Sequence, residues 1–514
     1  MQRGRIRLLL RILGAVLLLF VLLWTALYYR SKELEKTGDS QADNISQVMP
    51  TLYIWYTDEG LTDYINSAAL SYLDTTGVRV VPVLKNGLEY LEGIGAASRD
   101  TIDLDNEREK MPDLYIIGAD SLEKAAMAGV AMPITDPGNI MTQTNFLQTS
   151  LAAATYHGVY YGYPFYYETA FMVYNKTYLR ELADQALRRE FAPAKEPEEG
   201  EEGSGTVSDN EAVDPDEIPG GFTQAQWDVM VDLQAESMIP HSIEDIEEIA
   251  GNYDAPEGVE NIFLWDVSDL FYNYFFVGAY MQLGGNCGDD ETVLEIYNED
   301  TVHCMEVYGG LHQFFSIESA ESSYDKVLED FLAGNSIFTI VTTDALPRLQ
   351  HMSAEGTFPY EYSVASLPAV DNEHEAEGLS TTNCVVINGF TNYSQEANMF
   401  AHYLIYNGAD TLYERTGKMP AINVLEDSTD AREMVRAVYA QTESLPKLIK
   451  LSNFWINLEG AFTQVWNGGN PNEILHRLSE QMKTQIEGSI VSEPMLEFEE
   501  EDTPLYPEEY IEEE

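Results

Sequence analysis

The sequence predicts an α/β protein built as two packed bodies, and three observations lead there. Its 514 residues can fill one large core or, better, two cores of ordinary domain size. Its composition, 45% hydrophobic and 11% aromatic with 32 Tyr against 6 Trp, is that of a globular chain and excludes disorder throughout. The folded part opens strand–helix–strand and then repeats strand–helix, the unit of a parallel α/β sheet.

The chain begins with Arg3, Arg5, Arg7 and Arg11, followed by an uncharged run from Ile12 to Tyr29. About 18 apolar residues are near the lower limit for crossing a bilayer as a helix. The arginines should remain in the cytoplasm and the rest of the chain outside. The run ends Leu27, Tyr28, Tyr29, Arg30, a poor cleavage site, so residues 1–30 are read as an uncleaved single-pass anchor rather than a removed signal peptide. Residues 31–49 are polar, without apolar period, and read as a linker.

LYIWY (52–56) reads as the first strand, with Trp55 a core residue. LTDYINSAALSYLDTTG then puts Leu61, Tyr64, Ile65, Ala68, Tyr72 and Leu73 on one helical face, with Gly77 as its stop. VRVVPVL (78–84) is the next strand, PDLYIIGA (112–119) another, and SLEKAAMAG (121–129) a helix ending at Gly129. Ser242 with Asp245 in HSIEDIEEI is a helix-capping pattern needing no chemistry. Two segments offer almost nothing to bury: 193–221, with about ten carboxylates and one Lys, and 492–514, with about eleven carboxylates. They read as an acidic insertion and an acidic tail.

The formal net charge of −59 argues strongly against nucleic acid, whose phosphates need Lys and Arg. Cys287, Cys304 and Cys384 lack CxxC or zinc-ligand spacing; unpaired thiols are favoured over a Cys287–Cys304 disulfide. DLDNE (103–107) lacks the glycine turn and distal Glu of a calcium loop. The eight His show no HxxxH, and neither GxSxG nor GxxxxGK[ST] occurs. Nothing therefore calls for a metal, a cofactor or a catalytic residue, and the chain is read as not an enzyme.

Five segments in order carry a family resemblance: LYIWYTDEG (52–60) with DTTGVRVVPV (74–83); PDLYIIGADSLEKAAMAGVAMPIT (112–135); YHGVYYGYPFYYETAFMVYNKTYL (156–179); LEDFLAGNSIFTIVTTDA (328–345); and SVASLPAV (363–370) with TGKMPAI (416–422) and FWINLEGAFTQVWNGGNPNEILHRLSEQM (454–482). Each alone is only a strand or helix with a turn. Their order over about residues 50–488 resembles the family 1 extracellular solute-binding proteins of bacterial ABC importers, the group that includes the maltose-binding protein. The resemblance implies a two-lobed periplasmic-binding-protein-like fold of type II. The first lobe would be 50–165 with 370–420, the second 170–365 with 425–488. Three crossings would join them near Pro164–Phe171, Ser366–Ala369 and Pro420–Asn423. A lipobox Cys found in many Gram-positive members is missing, and the insertion after Tyr-Asn-Lys is larger than the pattern requires.

The resemblance further implies a receptor that closes on a small solute, favoured to be a sugar or oligosaccharide, and presents it to ABC permease subunits. Asp58 and Glu59 after the first strand, Asp120 after another, and Glu168 in the first crossing match ligand positions. So do Tyr274 and, less closely, Tyr272, while Trp455 in FWINL matches a stacking Trp. Asp344 stands where the family often has an aromatic residue. Carboxylates accept sugar hydroxyls, and aromatic rings cover the apolar face of a pyranose. Helix capping by Asp58 and core packing of Tyr274 are the plain alternatives. The acidic body leaves a cationic ligand open. The competing functions are a ligand sensor or scaffold for a membrane partner and an anchored glycoside hydrolase, which would need carboxylates about 5–9 Å apart.

Overall fold

The structure is a computed structural model that describes residues 50–87, 89–99, 110–191, 218–315, 317, 322–423 and 429–498. Leu52–Thr76 and the chain from Val80 onward form one compact unit, and the description concerns that unit. Strands of the main sheet are β1 (Thr51–Tyr56), β2 (Arg79–Leu84), β3 (Leu114–Gly118), β4 (Gly162–Asn175), β5 (Asn261–Leu264), β6 (Ser336–Thr342), β7 (Tyr362–Ala365), β8 (Leu379–Ile387), β9 (Met419–Pro420) and β10 (Glu443–Ser444).

Their order is β2-β1-β3-β8-β4-β6-β5, with β7 and β9 also on β4 and β10 on β8. β1 and β3 are parallel, Ile54 opposite Leu114, as a strand–helix–strand opening requires. The expected parallel sheet is nevertheless mixed. β8 returns from the far end of the chain and runs antiparallel to both β3 and β4.

β4 organises everything else. Its 14 residues, GYPFYYETAFMVYN, are buried at every position but Glu168, the pattern of a strand covered on both faces. Its first half pairs with β8 and β9, and its second half with β6 and β7. One strand thus passes from one set of partners to the other. Pro164 donates no ladder bond and sits where the register with β8 shifts, between Asn383 and Cys384.

The first helix, Thr62–Thr76, buries Tyr64, Ile65, Ala69 and Tyr72. The expected stripe is off at two places: Ala68 is half-buried and Leu73 is 37% exposed, because the buried set is offset so that Ala69 takes the inner position. Trp55 is core, at 2% exposure. Ser242 and Asp245 form a complete capping box on the helix Ile243–Asn252. Between the helix Tyr324–Ala333 and β6, Gly334 turns the chain at φ +84°. A Cβ there would also meet the Tyr360 ring and hydroxyl, so the tight helix-to-strand turn needs glycine twice over.

Cys287, Cys304 and Cys384 are all free thiols. At the C-terminal end of the expected insertion, Pro219 is buried. The start of the expected tail is also placed: the Glu493 carboxylate accepts from Ser479 at 2.6 Å, and the Leu496 N–H donates to the Tyr297 hydroxyl at 2.7 Å. Residues 492–498 therefore lie along the helix Pro471–Glu487. Among the described residues no helix is long and apolar enough to cross a membrane. The basic start with the Ile12–Tyr29 run, the 31–49 linker, the 103–107 acidic loop, most of the 193–221 insertion and residues 499–514 lie outside the described residues.

Candidate functional site

In open α/β sheets the loops beyond the carboxyl ends of strands face the ligand crevice. Here that rim carries a cavity of about 280 Å³, lined among others by Asp58, Tyr90, Gly118, Ser121, Tyr166 and Asn383. The volume is near the lower end, roughly 300 Å³, of small-molecule pockets.

Two of the expected residues meet at its edge through a residue that the sequence did not single out. Lys418 Nζ lies 2.9 Å from Asp58 Oδ2 and 2.9 Å from Glu168 Oε1. The ammonium also stands over the Tyr166 ring, 5.3 Å from its centroid, within cation–π range. Burial alone would lower the lysine's affinity for its proton. The Glu168 charge and the bonds to Asp58 and Glu168 outweigh that and raise its pKa. Asp58 is therefore cap and ion-pair partner at once, its Oδ1 accepting the Gly60 N–H at 2.8 Å. Glu59, in the 3₁₀ turn that follows, points to solvent.

Asp120 also follows its strand, in the turn Ala119–Ser121. It reaches solvent yet is walled by protein, and desolvation pushes its carboxyl up against the opposing pull of backbone N–H groups and the Lys447 ammonium.

Asp344 lies two residues past the Thr342–Ala170 pair of β6 and β4, in the turn that enters the helix Ala345–Glu355. It accepts the Tyr324 hydroxyl at 2.7 Å. Tyr324 in turn stacks on Tyr272, centroids 4.9 Å apart at 12°. Tyr272 is 6% exposed, so the stack reaches solvent through the half-buried Tyr324.

Tyr274 and Trp455 form a second group, with centroids 5.8 Å apart and an edge-on geometry. Tyr274 is 0% exposed, a core residue rather than a ligand-facing one. Its hydroxyl donates to Glu443 Oε2 at 2.9 Å. The FYNYFF run turns twice as 3₁₀ helix, and this directs the ring inward. Trp455, near the start of the helix Phe454–Trp466, is half-buried and retains an open part. Glu443 and Glu377 line a neighbouring cavity of about 370 Å³, and burial pushes the Glu443 carboxyl up to about 8.

The structure thus joins Asp58 with Glu168, Tyr272 with Asp344, and Tyr274 with Trp455. Lys418, Tyr166, Tyr324 and Glu443 were missed. Lys418 had one usable signal: a cation at a crossing of so acidic a chain needs carboxylate partners.

Residues 95–437 match the family model of the bacterial extracellular solute-binding protein, and the chain belongs to that family. The expected resemblance is borne out. Among its relatives, the maltooligosaccharide ABC transporter solute-binding lipoprotein of Streptococcus pneumoniae serotype 4 is 22% identical over 441 residues, 82% of this chain and 85% of the relative. A cyclo/maltodextrin-binding protein complexed with maltotetraose superposes with TM-score 0.62 at 17% identity, covering 86% of this chain and 99% of its own. The Staphylococcus aureus extracellular solute-binding protein in complex with maltose gives TM-score 0.62 at 15% identity, over 85% and 98%. These likenesses establish the two-lobed α/β fold.

Proposed function

We propose that this chain is the receptor of an ABC importer and captures a malto-oligosaccharide in the crevice over the strand ends. The observation that carries the reading is the Asp58–Lys418–Glu168 arrangement beside Tyr166. It holds two carboxylates at fixed positions where β4 leaves one set of partner strands for the other. Glu168 keeps its second oxygen for a ligand hydroxyl, and Asp120 supplies another acceptor. Trp455 offers the half-buried aromatic face that covers the apolar side of a pyranose, with Tyr272 and Asp344 supporting the same wall through Tyr324. Tyr274 acts from behind by seating Trp455, and Glu59 contributes from the rim. The ligand class follows from the relatives, which are named for maltooligosaccharide and maltodextrin.

Lobes of 50–165 with 370–420 and 170–365 with 425–488 would close about the three crossings, with the ligand's preference for the closed state driving the shift. The protein delivers its cargo unchanged and performs no catalysis. The Ile12–Tyr29 segment anchors it with the folded part outside the cell. Titration of the full-length chain with maltotetraose, followed by calorimetry and thermal melting, tests this. Saturable binding of one sugar per chain is expected, and at 100 times Kd it adds about 2.7 kcal/mol of stability. Binding of spermidine without binding of maltotetraose would overturn the ligand class. Release of reducing ends from maltotetraose would overturn the receptor reading.

A further inference from the structure

We propose that His303, Asp371 and His374 form a binding site for a late first-row divalent metal ion, Zn²⁺ in the first instance, away from the sugar crevice. Among the described residues this is the one group of three or more His, Cys, Asp and Glu whose ligand atoms gather closely, all within 4.8 Å of one another. His303 Nε2 is 2.7 Å from Asp371 Oδ2. His374 Nδ1 is 2.8 Å from Asp371 Oδ1 and 3.0 Å from Oδ2. The two rings stack with centroids 4.5 Å apart at 29°.

The ligands are oriented by the surrounding structure. Asp371 Oδ1 accepts the backbone N–H groups of Glu373 and His374 at 2.8 and 2.9 Å, which fixes the carboxylate and turns Oδ2 toward His303. His374 presents Nδ1 to that carboxylate and Nε2 to Asp300 Oδ1, 3.6 Å away. A small inward shift of Asp300 would let its carboxylate take the second ring N–H of a metal-bound His374. Tyr280 walls the site, its ring edge-on to His374 at 5.3 Å and its hydroxyl accepting the Glu375 N–H at 3.0 Å.

His374 and Asp371 side chains are 15% exposed and His303 is 37% exposed, so protein closes one side and water can complete the shell on the other. An ion held about 2.0–2.2 Å from each ligand atom spreads them to roughly 3.3 Å in a tetrahedron. The observed 2.7–3.0 Å contacts to Asp371 need open by only a few tenths of an ångström, while the two histidine nitrogens, within 4.8 Å of each other, settle to the same spacing. Two imidazoles and one carboxylate select Zn²⁺-like ions over Ca²⁺ or Mg²⁺, which prefer all-oxygen shells. A bound ion would tie the helix Glu299–Phe315 to the 371–374 turn, which directly follows the Ser366–Ala369 connection. Part of that connection would thereby be pinned to one body.

The test is calorimetric titration of the EDTA-stripped full-length chain with Zn²⁺ alone, repeated with Ca²⁺ and with variants. One equivalent of Zn²⁺ should bind and raise the melting temperature, with Ca²⁺ at least 100-fold weaker. His303→Ala and Asp371→Asn should each weaken Zn²⁺ at least 100-fold, and Asp300→Asn about tenfold. His351→Ala, which alters a histidine 70% exposed elsewhere, should leave binding unchanged. Melting in EDTA checks that each variant folds, and His303→Gln replaces His303→Ala if the latter does not. Three results would overturn the site: Zn²⁺ binding undiminished in folded His303→Ala or His303→Gln, Ca²⁺ binding as tight as Zn²⁺, or no stoichiometric Zn²⁺ uptake by the wild-type chain.

Discussion

Around Lys418 the charged side chains hold one another and still reach solvent, whereas around Tyr274 the aromatic rings are held by packing and reach it only through Trp455. Lys418, Asp58 and Glu168 are 22%, 29% and 38% exposed, and Tyr274 is at 0%. A partly wet ion-pair group adds little to stability but fixes the direction of its acceptors. A buried aromatic group adds much to stability and cannot meet a solute unless it moves. Affinity and stability should therefore separate between the two regions.

The largest separation is expected from Lys418→Met. Without the ammonium, Asp58 and Glu168 lose the bonds that aim them and repel each other. Each hydrogen bond from a sugar hydroxyl to a charged acceptor is worth about 1.5–3 kcal/mol. Loss of one or two well-placed acceptors should weaken maltotetraose binding on the order of 10- to 100-fold. Stability should fall by only about 1–2 kcal/mol, between the values for exposed and buried pairs. Calorimetry and melting on the same sample read both. Unchanged affinity with a large fall in melting temperature would make the group a structural tie at the crossing and remove it from the binding face.

The two regions also differ in how much the sequence disclosed. β1, β3, the 156–179 strand and the helix–turn–strand at 328–345 were legible because each is decided within a few residues by periodicity and turn chemistry. The antiparallel course of β8 was not, since strand direction depends on where the chain has been 200 residues earlier. Lys418 binds Glu168 across 250 residues of sequence, and no local pattern announces that. Tyr274 sits in a run so aromatic that spacing cannot tell a ring in the core from one in a crevice; the two 3₁₀ turns decide it. His303 and Asp371 are 68 residues apart, so a search for short histidine spacings passes over them.

A smaller separation, of opposite sign, should divide Trp455 from Tyr274. Trp455→Ala removes an open aromatic face and should weaken maltotetraose on the order of 10- to 30-fold, the scale of a binding hot spot. Tyr274→Phe leaves that face in place but strips Glu443 of its donor, at about 1–3 kcal/mol of stability. For bodies of 150–250 residues each kcal/mol moves the melting temperature by about 2–4 °C. Tyr274→Phe should therefore lower melting by several degrees and change affinity less than about threefold. If it costs as much affinity as Trp455→Ala, the aromatic group moves as a unit on closure and the contrast with Lys418 disappears.

The smallest effect on affinity belongs to the carboxylate that the aromatic region keeps dry. Burial raises Glu443 from 4.5 to about 8, helped by the Glu377 charge and opposed by the Tyr274 hydroxyl and the Leu283 N–H. Between those pH values the folded chain holds a proton on Glu443 that the unfolded chain has released. This group therefore makes stability fall as pH rises from about 4.5 to about 8 and adds no further slope above that. Glu443→Gln keeps an oxygen for the Tyr274 hydroxyl and carries no titrating proton. Groups remote from Glu443 titrate alike in both chains, so the difference in melting temperature isolates Glu443 and its coupling to Glu377. The variant should gain on the wild type steadily from pH 5 to pH 8 and hold its advantage at pH 9, at about 2–4 °C for each kcal/mol. Parallel melting curves would mean that water in the adjacent cavity of about 370 Å³ solvates the Glu443 carboxylate. The aromatic region would then be as wet as the Lys418 group, and Tyr274 would need only a small displacement to meet a ligand.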